Sequence, residues 1–349
     1  MFNKSSKILI TGGSGFVGAN IVRHLVNEGR NVVVGVRGTS NLWRLNGFLS
    51  SIIVEEINLL DPIFLKRKIS EIKPDIVINC AAYGVNSSRM DPELAFKINV
   101  QGTNSLFEIC AQTMVKRFVH IGTAFEYGSY EGLIAEDFAL KPIGIYGTTK
   151  AASSILLREQ SLRLELPLVI LRLFGVYGPL EGNHKLIPQV VLSCLANRHL
   201  HLTSGTQIRD YSYVGDVAEM VSRITYIDKF PNGEIINIGT GIPLTLKDFT
   251  ASIADQLNNK YILHFSKDTS RNSGDEYLVA EISKLNRILG TVSKTPLKQA
   301  VNKIVKSYQE IIYAEQKIKN EKMTVDKYFS DRRVSIILCV FNEIKRAPK

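Results

Sequence analysis

The run Lys7-Ile8-Leu9-Ile10-Thr11-Gly12-Gly13-Ser14-Gly15-Phe16-Val17-Gly18 limits what this chain can become more than any other stretch. An apolar strand runs straight into glycines spaced three apart, and an amphipathic pattern follows from Ala19 to a capping Gly29. Strand, glycine turn and helix in that order suit a bound dinucleotide pyrophosphate. Glycine lets the backbone turn sharply and approach phosphates, and the next helix offers unpaired N–H groups at its positive end. Any tight strand-to-helix turn uses glycine, so the rest of the chain must decide.

The apolar runs that follow keep a strand–helix rhythm. Val32–Val36 is a second strand, Ile52–Val54 with Ile57 a third, and Pro74–Ala82 a fourth that closes on small residues. Residues 62–72 and 92–115 read as helices, with Asn99 inside the second, and Arg117–Thr123 as a fifth strand. This alternation predicts an α/β fold with a Rossmann-type, doubly wound parallel sheet. The second strand ends in Arg37-Gly38-Thr39-Ser40. An acidic residue there suits the ribose hydroxyl of NAD and an arginine the 2′-phosphate of NADP. Arg37, with Ser40 as a second donor, therefore favours NADP(H), with NAD as the alternative; an ordinary surface arginine is the bland reading.

Thr123 ends the fifth strand, and Tyr146-Gly147-Thr148-Thr149-Lys150 opens a further helix through Leu162. Tyrosine and lysine four apart share a helix face. A phenol with a reference pKa of about 10 is a poor base near neutrality, and a neighbouring ammonium favours its phenolate. Hydride chemistry at an alcohol or ketone needs one such proton partner, and Thr123 can hold the reacting oxygen. Such a pair alone usually marks only a helix surface; after a glycine turn and five strands it marks a site.

With 349 residues, 45% hydrophobic and 22% charged, the chain is an ordinary globular sequence with room for one to three domains. No apolar run nears the ~18 residues that span a bilayer, and no signal peptide precedes the first strand. Cys80, Cys110, Cys194 and Cys339 show no metal or disulfide spacing. A cytoplasmic protein without a metal site or membrane insertion is expected. The net charge of +10 gathers between Lys284 and Lys349 without a nucleic-acid module, so a solvated basic face is expected rather than a nucleic-acid partner. His199 and His201 have no metal partners in view.

Together these residues resemble the extended short-chain dehydrogenase/reductase family, the nucleotide-sugar epimerases, dehydratases and reductases. Besides the glycine turn, the matching runs are Cys80-Ala81-Ala82, Asn99-Val100, Tyr146 with Lys150, and Leu173–Pro179. Arg209–Val217 and Asn237–Gly241 complete the set, which spans roughly residues 6–315 in family order. The resemblance implies catalytic roles for Tyr146, Lys150 and Thr123. It implies cofactor contacts from Gly12, Gly15, Phe16, Val17, Gly18, Asn58, Leu59, Ala81, Ala82 and Asn99, and a substrate diphosphate contact from Arg209. A structural pair of Arg209 with Asp210 or Asp216 is the alternative. A nucleotide-diphosphate sugar substrate and a homodimer through helices 92–115 and 146–165 follow from the same likeness.

In 4,6-dehydratases of the family a carboxylate follows the active-site threonine. Ala124 and Phe125 stand there, and Glu126, if still strand-like, faces the other way. A dehydratase is therefore disfavoured, leaving a 4-keto reductase or a 4-epimerase. The run Val36–Leu45 resembles CDP-abequose synthase-type reductases, which implies a 4-keto-6-deoxyhexose and deoxysugar biosynthesis of the O-antigen kind. The expected division is a dinucleotide domain of 1–176 plus 209–240 and a sugar-nucleotide domain of 177–208 plus 241–315. In the latter, Leu186 to Leu202 reads as a helix. Residues 297–322 read as a basic amphipathic helix. The tail 316–349 contains Val334–Glu343, which resembles the opening strand of a glycosyltransferase, read either as a fusion cut short or as merely an extra strand.

Overall fold

A computed structural model describes residues 2–84, 90–113, 115–267, 277–292 and 294–320, with side chains in the last helix described as far as Glu310. The first half contains β1 (Lys7–Thr11), α1 (Phe16–Asn27), β2 (Asn31–Val36), β3 (Ile53–Glu56), α2 (Pro62–Ile72) and β4 (Ile76–Asn79). Then come α3 (Pro92–Phe96), α4 (Thr103–Gln112), β5 (Arg117–Thr123), α5 (Gly144–Leu164) and β6 (Leu168–Leu173). The second half holds β7 (Gly175–Tyr177), α6 (Leu186–Leu195), β8 (Leu200–Leu202), β9 (Ile208–Arg209), β10 (Tyr211–Tyr213), α7 (Val214–Thr225) and β11 (Glu234–Ile238). It closes with β12 (Leu244–Thr245), α8 (Leu246–Gln256), β13 (Leu263–Phe265), β14 (Tyr277–Leu278), α9 (Ser283–Leu289) and α10 (Leu297–Asn320).

Seven strands form one parallel sheet in the order β11-β6-β5-β4-β1-β2-β3. Parallel strands need both faces covered, which is why most of these segments are continuous apolar runs. On one face Leu9, Val77, Phe118 and Leu168 pack beneath α2, α4 and α5 through Leu65, Ile69, Leu106, Phe107 and Leu157. On the other, Ile8, Ile10, Ile76, Val119 and Val169 meet α1, α7 and α9 through Ile21, Leu25, Val217, Val221 and Leu285. The Rossmann-type doubly wound sheet expected from the sequence is present.

Local signals explain the element ends. Asp61 accepts the Phe64 N–H at 3.0 Å and Pro62 opens α2, which Lys73 ends at φ +50°. The expected single helix over 92–115 is interrupted instead: a π-helical turn, Lys97–Gly102, separates α3 from α4. Gly102 there sits so close to α2's approach that an added Cβ would lie 2.8 Å from Leu59 Cβ. The helix expected from Leu186 to Leu202 ends at Leu195, because Asn197 adopts φ +51° and turns the chain into β8.

Beyond β6 the short strands build a second, smaller cluster in which Val190, Val191, Phe249, Ile253, Ile262, Val301 and Ile304 are buried together. The basic amphipathic helix is α10, and it docks by Ala300, Val301 and Ile304. The glycosyltransferase-like run Val334–Glu343 lies outside the described residues.

Gly18 carries the packing of α1 on the glycine turn, since a Cβ there would stand 2.4 Å from the Gly12 carbonyl oxygen. Gly18→Ala should therefore cost about 1–3 kcal/mol, read as a lower urea midpoint at unchanged m-value.

Candidate active site

The carboxyl ends of β1, β2 and β4 open onto a cavity of about 300 Å3. At its base Gly12 adopts φ +67°, and a Cβ there would sit 2.6 Å from the Ala81 nitrogen, so only glycine fits. The Gly15 N–H donates to the Gly12 carbonyl at 3.0 Å, which closes the turn, and Gly15 caps α1 without a side chain. The first-turn N–H groups of α1 have no intrahelical acceptor and carry its positive dipole end.

Of the residues singled out in the sequence, Gly12, Gly15, Arg37, Ser40, Asn58, Leu59, Ala81 and Ala82 line this cavity. Ser14, Cys80 and Tyr83 line it as well. Phe16, Val17 and Gly18 do not. Phe16 packs toward the second cluster and Val17 toward the first, so these two offer backbone N–H groups rather than side chains. Gly18 is a packing glycine of α1. Asn99 does not line the cavity either; it stands behind the wall that Tyr83 forms. It is 1% exposed, its amide oxygen accepts the Tyr83 N–H at 2.7 Å, and its amide nitrogen donates to Tyr83 O and Thr149 Oγ1. Asn99 thus braces the cavity wall against α5.

At the end of β2, Arg37 and Ser40 form a turn in which the Arg37 N–H donates to Ser40 Oγ at 3.1 Å. The Glu56 carboxylate of neighbouring β3 lies over Gly38, 2.9 Å from where a Cβ would be.

The residues expected to carry acid/base chemistry gather at β5 and α5. Thr123 closes β5, and its Oγ1 accepts the Phe125 N–H at 3.3 Å. Tyr146, in the first turn of α5, meets the Phe125 ring edge-on at 6.5 Å. Lys150 is 2% exposed, and its Nζ stands 3.0 Å from His120 Nε2. Burial pulls the Lys150 ammonium down to about 8, against the raising effects of Glu126 and Cys80. Burial, with Glu126 adding to it, pushes the Tyr146 phenol up rather than down. The expected lowering by Lys150 does not offset this rise.

Glu126 differs from its expected strand-like course. The chain leaves β5 at Thr123 and coils through a 3-10 turn, Ala124–Glu126, which returns the Glu126 side chain beneath the strand end. There its Oε1 accepts the Thr123 N–H at 2.9 Å and its Oε2 accepts Arg172 Nε at 2.8 Å. Glu126 and Arg172 are 0% and 2% exposed, a fully buried ion pair. Gly122 makes room for it, since a Cβ would lie 2.6 Å from Glu126 Oε1. Ala124 and Phe125 leave no carboxylate directly after Thr123.

Arg209 ends β9, half-buried, with Nη1 donating to the Ile208 carbonyl at 3.1 Å. Asp210 directs its carboxylate to Thr240, Gly241 and Ala280, and Asp216 directs its own to Thr295. His120, Arg172 and Asn79 escaped the sequence reading, although a histidine inside the apolar run Arg117–Thr123 was a legible signal.

This arrangement matches a known family. Residues 8–239 fit the model of the NAD dependent epimerase/dehydratase family. The chain belongs to that family, whose nucleotide-sugar enzymes are of the extended short-chain dehydrogenase/reductase type. It is 28% identical over 335 residues to a dTDP-glucose 4,6-dehydratase of Shigella flexneri, covering 86% of this chain and 92% of that one. It is 27% identical to the uncharacterized UDP-glucose epimerase YtcB of Bacillus subtilis, covering 84% and 95%. Among solved structures, DesIV of Streptomyces venezuelae, a dTDP-glucose 4,6-dehydratase with NAD and TYD bound, superposes with a TM-score of 0.78 at 26% identity, covering 87% and 97%. MoeE5 in complex with UDP-glucose and NAD gives 0.74 at 26%, covering 88% and 100%. Among the described residues no helix is long and apolar enough to cross a membrane, and no group of three or more acidic, histidine or cysteine side chains is placed to hold a metal ion.

Removing one partner of a buried ion pair strands the other charge. Glu126→Ala should therefore cost about 3–5 kcal/mol in chemical denaturation, and Glu126→Leu combined with Arg172→Met should recover most of it.

Proposed function

We propose that the protein reduces the C4 ketone of a nucleotide-diphosphate 4-keto-6-deoxyhexose with NADPH. The observation that carries this reading is the pairing of a cationic turn, Arg37 with Ser40 on the cavity wall, with a β5 exit that has no carboxylate at Ala124 or Phe125. The first suits a 2′-phosphate, and the second lacks the acid that water elimination requires. The cavity fits a dinucleotide, because its floor is a glycine turn that a Cβ would block and one wall is the small pair Ala81 and Ala82.

Gly12, Gly15, Ala81 and Ala82 would hold the dinucleotide, whose nicotinamide would supply the hydride for C4. The chain supplies everything else. Thr123 Oγ1 donates to the sugar oxygen and fixes it. Tyr146 passes its phenolic proton to that oxygen as the C=O bond becomes C–OH, so one hydride and one proton are consumed per turnover. The raised Tyr146 phenol stays protonated, the form that a reduction draws on. Lys150, close below, restores a positive field at Tyr146 when its Nζ is charged. Arg209 meets the diphosphate, and the cluster around α6, α8 and α10 forms the sugar-nucleotide domain. Apolar Ile155 and Leu162, 59% and 62% exposed on the outer face of α5, support a homodimer through that helix. A cytoplasmic location belongs to the same reading.

A second reading, an NAD-dependent 4-epimerase, draws on one observation: the Glu56 carboxylate over Gly38 places negative charge beside the Arg37 turn.

Purified protein should oxidise added NADPH only when given a nucleotide 4-keto sugar. Tightly held NAD with interconversion of sugar epimers and no net cofactor use would overturn the reductase. Arg37→Ala should raise KM for NADPH roughly tenfold and leave that for NADH unchanged, the loss of one charge-assisted contact. Tyr146→Phe should lower kcat by about 10²–10⁴ with folding intact by circular dichroism.

A further inference from the structure

Lys150 has a neighbour whose hydrogen-bonding polarity is dictated from elsewhere in the fold. Asn79, at the end of β4, has its amide oxygen fixed by two donors, the Ala81 backbone N–H at 3.2 Å and Thr11 Oγ1 at 2.6 Å. A backbone N–H can only donate, so the amide nitrogen must face the other side. There it meets Thr103 Oγ1 and His120 Nδ1, both at 3.3 Å. His120 Nδ1 must therefore accept, and a neutral imidazole then carries its proton on Nε2. That N–H points at Lys150 Nζ, 3.0 Å away. Two donors cannot share one contact, so the partner that fits is an amine with a lone pair.

We infer that His120 is a positioning residue that, by donating from Nε2, favours the neutral amine of Lys150 in the cofactor-free protein and so lowers the proton affinity of Nζ. The groups facing Lys150 are His120 on β5, Cys80 after β4, Glu126 in the turn after β5 and Tyr146 one turn back on α5. Glu126 alone brings a full negative charge, and Arg172 neutralises it from β6. The Cys80 thiol is pushed up to about 12 by burial and stays neutral. His120 is itself held well below its usual range, first of all by burial, so it does not compete as the charged partner. The depressed Lys150 value, about 8, agrees in direction. Its sign is that of a buried cation: the neutral amine dominates above that value, where an ordinary lysine is still charged.

The test uses the cofactor-free protein and depends on no assigned reaction. Lysine labelled with 13C at Cε is followed by NMR against pH, with Lys150→Met identifying the resonance by its loss. The Lys150 signal should titrate about two units below the exposed lysines. His120→Phe, which deletes the donor that stabilises the amine, should raise that midpoint by about one unit, a tenfold shift in the proton equilibrium. His120→Gln should restore the low midpoint, because Asn79 orients its amide oxygen inward and leaves an N–H for Nζ. Circular dichroism and thermal midpoints establish that each variant folds; a variant that does not is replaced by Asn79→Asp, which reverses the polarity of His120 and should raise the midpoint. A Lys150 midpoint with the surface lysines, or one that His120→Phe leaves unchanged or lowers, overturns the proposal.

Discussion

The structure depends on a row of polar side chains buried across the carboxyl edge of the sheet. Register alone aligns them: Thr11 pairs across to Asn79, and Asn79 to His120. One step further along, Gly122 lies opposite Arg172, and Arg172 opposite Asn237. Below this edge the same face is apolar through Leu9, Val77, Phe118 and Leu168. Water cannot reach most of these groups, so each must be satisfied by its neighbours or be costly to bury. The face therefore changes from hydrocarbon to a hydrogen-bonded chain just where α5 brings Lys150 against it. From Asn79 to His120 to Lys150 the polarity of each group is set by the one before it, which ties the state of Lys150 to the Ala81 backbone N–H just beyond β4.

The Glu126–Arg172 pair does the corresponding work for Thr123. A carboxylate that receives the Thr123 N–H fixes the end of β5, and the guanidinium pairs with that carboxylate in a place without solvent. The geometry costs the chain two things. Gly122 cannot carry a Cβ, and the residues after Thr123 must coil at once, so Phe125 faces Tyr146 where an acid would otherwise be available.

The sheet, its parallel rhythm and the glycine turn were legible because each rests on local patterning that strands buried on both faces impose. Arg37, Asn58, Ala81 and Ala82 were legible for a related reason: they stand at strand ends, and strand ends face the cavity in this fold. What escaped depends on contacts between segments far apart in sequence. Nothing near Glu126 reveals that Arg172 awaits it 46 residues later. The π-helical turn at Asn99 answers to tertiary packing, and its amide is claimed by Tyr83 and Thr149. The helix drawn past Leu195 failed because a left-handed asparagine leaves little trace in hydropathy.

The same reasoning locates Arg209. Its neighbour Asp210 is fully buried and gathers four donor groups: the N–H and hydroxyl of Thr240 and the N–H groups of Gly241 and Ala280. Those donors belong to the segment leaving β11 and to the one following β14, so a single carboxylate binds the edge of the large sheet to the smaller cluster. An added Cβ at Gly239 would meet that carboxylate at 2.5 Å, which shows how closely the segments converge. Because β9 pairs with both β12 and β14, Arg209 cannot shift along its strand without breaking this junction. The cation is thereby held in fixed relation to the sheet edge that carries Thr123, and the distance between Arg209 and that edge becomes a property of the fold rather than of a flexible loop.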